Sequence, residues 1–151
     1  MSIEDVKRLD EYGIAAWDKH DPDGFVALCD DSIVWRDTSI TEPLRGKAAV
    51  RQYMQGWFTA FPDMRARRVN PVVTEDAFAA EVEWDGTNKG PLQGPPGTPP
   101  IPATGKKVAG RGAYFARVRN GKIVEFHAYP HTAGMLMQLG LMPAPQASPK
   151  R

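Results

Sequence analysis

The chain has 151 residues, 42 % hydrophobic and 25 % charged, a length and balance that suit one folded domain with a single core and exclude a disordered tail or a fibre. Nineteen Lys and Arg against eighteen Asp and Glu leave a net charge of +1, so no field draws DNA or RNA to the surface and nucleic acid is not an expected partner. A single cysteine, a polar amino terminus and no apolar run near the ~20 residues of a membrane span lead us to expect a cytoplasmic protein without disulfides or membrane contact.

Ser2 with Asp5 three residues on is a capping-box pattern, and Ile3, Val6, Leu9, Gly13 and Trp17 recur at helical spacing. They predict a helix over 3–19, with Lys7, Asp10, Glu11 and Asp18 on its polar face. The turn cluster from His20 to Gly24 leads into a second helix over 23–30, capped by Asp21 or Asp23. Cys29 falls on its apolar face with no basic neighbour in sequence to activate the thiol. The β-branched and aromatic run over 32–38 predicts the first strand. Gly46 opens a third helix over 46–61, where Val50, Tyr53, Met54, Trp57, Phe58 and Phe61 form the apolar stripe and Pro62 stops it.

After Pro62 the pattern changes to period two, predicting strands over 64–74, 77–84, 108–119 and 123–129 in an antiparallel sheet. Asn120-Gly121 predicts a tight hairpin between the last two, because both residues accept the positive φ of a type I′ turn. Residues 132–139 read as a short helical cover and 143–151 as a loose tail, leaving 1–142 as the domain. Six prolines between Pro91 and Pro102 bar that stretch from a sheet interior, so it is either a lid on a pocket or a passive flap. Its glycines lack the spacing of a phosphate loop or a dinucleotide fingerprint.

Candidate chemistry gathers on the last strand. Period two from Ile123 puts Glu125, His127, Tyr129 and His131 on one face, and Val124, Phe126 and Ala128 on the other. On a strand His127 and His131 lie about 13 Å apart, too far to share a metal, and taken alone they read as ordinary sheet residues. Asp37 has two open readings, a polar group in a pocket or a turn cap. Arg65, Arg67 and Arg68 face the alternating acids Glu81, Glu83 and Asp85 as cross-strand charge partners.

Six runs in order span nearly the whole chain except the tail: Glu42-Pro43-Leu44-Arg45-Gly46, the stretch from Trp57 to Asp63, Gly86-Thr87-Asn88-Lys89-Gly90, Ala103-Thr104-Gly105-Lys106, Gly121-Lys122-Ile123-Val124-Glu125 and Gln138-Leu139-Gly140. Together they resemble the SnoaL-like polyketide cyclases of the nuclear-transport-factor-2-like group. The resemblance implies an α+β cone, a curved antiparallel sheet packed against three helices around an interior pocket, and a homodimer formed through the outer sheet face near Phe115. It also implies acid–base chemistry without cofactor or metal, in the best-known members an intramolecular aldol cyclisation. The family's acid falls where this chain has His131, after Tyr129-Pro130, and a family histidine falls on Asn88.

On that map His131 is the expected general base, with Tyr129, Asn88 and Arg111 as donors to an enolate. His127, Trp35, Asp37, Tyr53, Trp57 and Phe61 are the expected substrate-binding residues. The expected partner is a small hydrophobic carbonyl compound undergoing cyclisation, isomerisation, dehydration or hydrolysis. A non-catalytic carrier or protein-interaction domain on the same fold is the alternative, marked by an apolar cavity without convergent polar groups.

Overall fold

The computed structural model describes residues 1–94 and 97–145. Its elements in chain order are α1 (Ile3–Asp18), α2 (Pro22–Val26), β1 (Cys29–Asp37), β2 (Leu44–Arg45), α3 (Lys47–Ala60), β3 (Arg65–Val73), β4 (Ala77–Thr87), β5 (Lys107–Arg119), β6 (Lys122–Tyr129) and α4 (Thr132–Gln138). The six strands form one sheet in the order β2-β1-β6-β5-β4-β3. Strands β3 to β6 are an antiparallel meander, as the period-two pattern predicts, whereas β1 joins β6 in parallel and makes the sheet mixed.

Local chemistry explains the starts and stops. Ser2 accepts a hydrogen bond from the Asp5 amide at 3.1 Å, while the Asp5 carboxylate takes the Ser2 amide at 3.2 Å, so the capping box forms. Helix α2 is shorter than its apolar spacing predicts. Pro22 opens it, Asp21 caps it through the Gly24 amide, and after Val26 the chain turns into β1, so Cys29 begins a strand rather than ending a helix. Gly46 precedes α3 at φ +87°, a conformation that favours glycine. Asn120 and Gly121 both take positive φ, and the hairpin closes with Arg119 opposite Lys122.

The helices cover one face of the sheet and close a core in which Trp35, Phe25, Phe61, Ile33, Met54 and Ile123 are among the largest fully buried side chains. On the opposite face Glu83 pairs with Arg67 and Arg111, and Arg117 lies over Phe115. Of the three expected arginine partners, Arg67 alone finds its acid across the strands; Arg65 reaches back to Asp18 and Arg68 to Asp10, both on α1. Asp10 is therefore not on a solvated helix face but buried against the sheet.

The prolines from Pro91 to Pro102 include Pro95 and Pro96, which lie outside the described residues, as do 146–151 of the expected tail. Leu92 and Ile101 pair as an isolated antiparallel bridge. Pro91 and Gln93 sit beside Arg51, Gln52 and Gln55 on the outer side of α3. No helix among the described residues is long and apolar enough to cross a membrane.

Candidate active site

Between α1, α3 and the inner face of the sheet lies a cavity of about 120 Å³. Its walls are aromatic: Trp17, Phe25, Trp35, Tyr53, Trp57, Phe78, Trp84, Tyr114 and Phe126 all line it. Phe126 is the centre of the floor, stacked on Trp35 at 4.3 Å and on Tyr114 at 5.4 Å between ring centroids. Two carboxylates, Asp10 and Asp37, interrupt the apolar lining.

Asp37 ends β1 and is 9 % exposed. One oxygen accepts from the Ser39 amide at 2.8 Å and the Ser39 hydroxyl at 2.5 Å. The other accepts from the Tyr53 hydroxyl at 2.5 Å and from the Trp35 indole nitrogen at 3.3 Å. Asp37 is thus both a turn cap and a group on the cavity wall, so the two open readings hold together. All four donors are uncharged, and no cationic side chain among the described residues forms an ion pair with Asp37. Burial, with the Asp37 charge next to it, pushes the Tyr53 phenol above its ordinary range.

Asp10 is 1 % exposed and is met differently. The Tyr114 hydroxyl donates to it at 2.5 Å, and the Arg68 guanidinium donates to its other oxygen at 2.6 Å. The Tyr114 phenol is also raised, by burial and then by its bond to Asp10, so it stays protonated.

Of the residues singled out from sequence, Trp35, Asp37, Tyr53 and Trp57 line this cavity, and Tyr129 stands half exposed among the lining residues. Phe61 is fully buried behind the wall, packed on Trp57 and Trp84. The remaining four are not brought to the cavity. His131 is exposed at the start of α4, its ring folded over Gly134. His127 lies on the outer sheet face, where it meets Glu125 at 3.2 Å and the Phe115 ring. Arg111 is on that same face, paired with Glu83 at 2.5 Å. Asn88 is fully buried and spends its side chain on backbone: its amide nitrogen donates to the carbonyls of Ala60 and Gly90, and its oxygen accepts from the amide and hydroxyl of Thr104.

The strand-face expectation fails for a specific reason. The β5–β6 register shifts between the pair Val118–Ile123 and the pair Arg117–Glu125, so Val124 is an extra residue and the alternation inverts there. Ile123 points to the core, yet beyond the bulge Phe126 and Ala128 take the inner face while Glu125 and His127 turn outward. Sequence spacing does not single out Asp10, Arg68 or Tyr114 as residues of the cavity. One signal was present: Asp10 sits on the same helical stripe as Val6, Gly13 and Trp17, and a carboxylate on an apolar stripe calls for a buried partner.

A family model described as the SnoaL-like domain matches residues 11–126. The chain belongs to the SnoaL-like family. This SnoaL-like chain also shares its fold with AclR from Streptomyces galilaeus at a TM-score of 0.80 and 24 % identity, over 96 % of this chain and 87 % of that one. TsrD from Streptomyces laurentii superposes at a TM-score of 0.79 and 20 % identity, over 94 % and 99 % of the two chains. IdmH from Streptomyces antibioticus does so at 0.72 and 24 %, over 89 % and 98 %. No curated protein matches the SnoaL-like chain.

Proposed function

We propose that this SnoaL-like protein is a cofactor-independent enzyme that moves protons on a small hydrophobic carbonyl compound, with Asp37 rather than His131 as the general base. One observation carries the reading. Asp37 is a buried carboxylate held by neutral donors alone on the wall of an aromatic cavity, so an acceptor for a substrate proton stands where a bound ketone would lie. The substrate C–H bond next to the carbonyl breaks, its proton passes to Asp37, and the electron pair moves onto the carbonyl oxygen as an enolate. The 3.3 Å bond from Trp35 is the longest of the four at Asp37 and the one the substrate displaces.

Tyr53 couples the two halves of the step. While Asp37 is a carboxylate, the Tyr53 proton is directed at it. Once Asp37 carries the substrate proton, Tyr53 is free to turn its O–H toward the enolate oxygen. Return of the proton at another carbon gives isomerisation, and attack of the enolate on a second carbonyl gives cyclisation. Among fold relatives IdmH is a proposed polyketide cyclase and AclR a proposed hydroxylase, so the group spans more than one chemistry. A homodimer through the outer sheet face belongs to the same reading, supported by the Phe115 ring there beneath Arg117.

The test is exchange of the α-hydrogens of 2-tetralone in heavy water, followed by proton NMR. Wild-type protein is expected to accelerate exchange, and Asp37→Asn to lose about 10² to 10⁴ of that acceleration while still binding the ketone. Binding without any acceleration by the wild type would favour the carrier alternative instead.

A further inference from the structure

We propose that Tyr114, held by Asp10 and Arg68, is the anchor for a hydroxyl group on the far side of the substrate from the carbon that Asp37 deprotonates. This rests on the acid–base reading of the cavity and adds the residue that orients the substrate in it.

The strand register sets the geometry. Asp37 lies opposite Ala128 across β1 and β6, and Tyr114 lies opposite Ala128 across β6 and β5. The three residues form one row across the inner face of the sheet, and all three line the cavity. With neighbouring strands about 4.8 Å apart, the main chains of Asp37 and Tyr114 are roughly 10 Å apart, with only a methyl group between them. The next row carries Trp35, Phe126 and Ala116, so a ligand resting over Ala128 lies against the aromatic floor with Asp37 at one side and Tyr114 at the other.

Hydrogen-bond polarity then sets the chemistry at the Tyr114 side. The phenolic proton is committed to Asp10, and Arg68 fixes that carboxylate from behind. What the Tyr114 oxygen still offers the cavity is a lone pair, so it accepts. Among the described residues no donor is directed at the Tyr114 oxygen. A ligand fills that place with an O–H, whereas an ether or carbonyl there would set acceptor against acceptor. The arrangement also accounts for a buried ion pair beside an otherwise apolar cavity: such a pair adds little stability over apolar residues, but it holds one tyrosine in one orientation.

The experiment compares 6-hydroxy-2-tetralone, 6-methoxy-2-tetralone and 2-tetralone by isothermal titration calorimetry. Wild-type protein is expected to bind the hydroxy ketone roughly two- to tenfold more tightly than 2-tetralone and to disfavour the methoxy ketone, as one neutral hydrogen bond allows. Tyr114→Phe, checked for folding by circular dichroism, is expected to lose the hydroxyl preference and keep its affinity for 2-tetralone. Equal binding of hydroxy and methoxy ketones by the wild type overturns the proposal without any variant, and so does a hydroxyl preference that survives in Tyr114→Phe. The wild-type protein separates the two claims. A hydroxyl preference intact in a wild type that does not catalyse exchange sinks the base alone, and exchange without the preference sinks the anchor alone.

Discussion

Replacing Asp10 by Ala removes the acceptor of two buried donors at once, and the cost follows from what each is left with. Tyr114 keeps a buried hydroxyl with no acceptor, a loss of about 1 to 3 kcal/mol. Arg68 is less stranded, because its side chain is 19 % exposed and already lies 3.7 Å from Glu11, to which it can turn. The sum falls in the range for breaking a buried pair, about 3 to 5 kcal/mol, and toward its lower end. For a chain of this size that lowers the melting temperature by roughly 6 to 20 °C. Arg68→Met should cost more than Asp10→Ala, since Asp10 is 1 % exposed and has no second cation to turn to. Urea denaturation monitored by tryptophan fluorescence gives both values. The triple variant Asp10→Leu, Arg68→Met, Tyr114→Phe should recover most of the loss, because an apolar set of similar volume needs no desolvated charge. A loss below about 1 kcal/mol for Asp10→Ala, or a triple variant no more stable than the singles, would refute the reasoning.

Three further outcomes follow from the same contacts. Asn88→Ala should destabilise the fold by about 1 to 3 kcal/mol, since it removes the acceptor of the Thr104 amide and a donor to the part-buried Gly90 carbonyl, the Ala60 carbonyl keeping the Lys89 and Gly90 amides as donors, while ketone binding per folded molecule stays at the wild-type level in calorimetry. His131→Ala should leave 2-tetralone exchange and urea stability as they are, because the ring is exposed outside the cavity; a large drop in exchange rate would return the base to His131. Asp18 is held below the ordinary carboxylate range, first by its hydrogen bonds from Arg65 and then by the Ala66 amide. Its stabilisation is therefore complete above its unfolded value near 3.8 and is lost as pH falls through the lower folded value, so Asp18→Asn should flatten the acid side of a urea-midpoint profile taken from about pH 5 to about pH 2.

Where the sequence was informative, the determinants were local. The Ser2–Asp5 box, the 3.6-residue stripe of α3 ended by Pro62, and the Asn120-Gly121 turn each act within a few residues, so their spacing alone determined the elements. The ordered motifs likewise made the SnoaL-like family and its α+β cone legible. Within the site, Trp35, Tyr53 and Trp57 could be read as lining because they fall on apolar stripes, and Asp37 because it ends a strand among them.

Tertiary structure alone decided which polar groups face the cavity. A single unpaired residue, Val124, inverts the inside and outside of β6, and its position depends on pairing with β5, not on anything in the strand's own pattern. That inversion takes His127 away and puts Ala128 between Asp37 and Tyr114. The Asp10–Tyr114 bond joins residues 104 positions apart, and the Asp10–Arg68 bond residues 58 apart, so no window along the chain contains both partners. Periodicity states that a side chain is buried; only the register of strands and the seat of α1 on β3 state what it is buried against, and for a carboxylate that partner decides whether it is a base, an anchor or a cap.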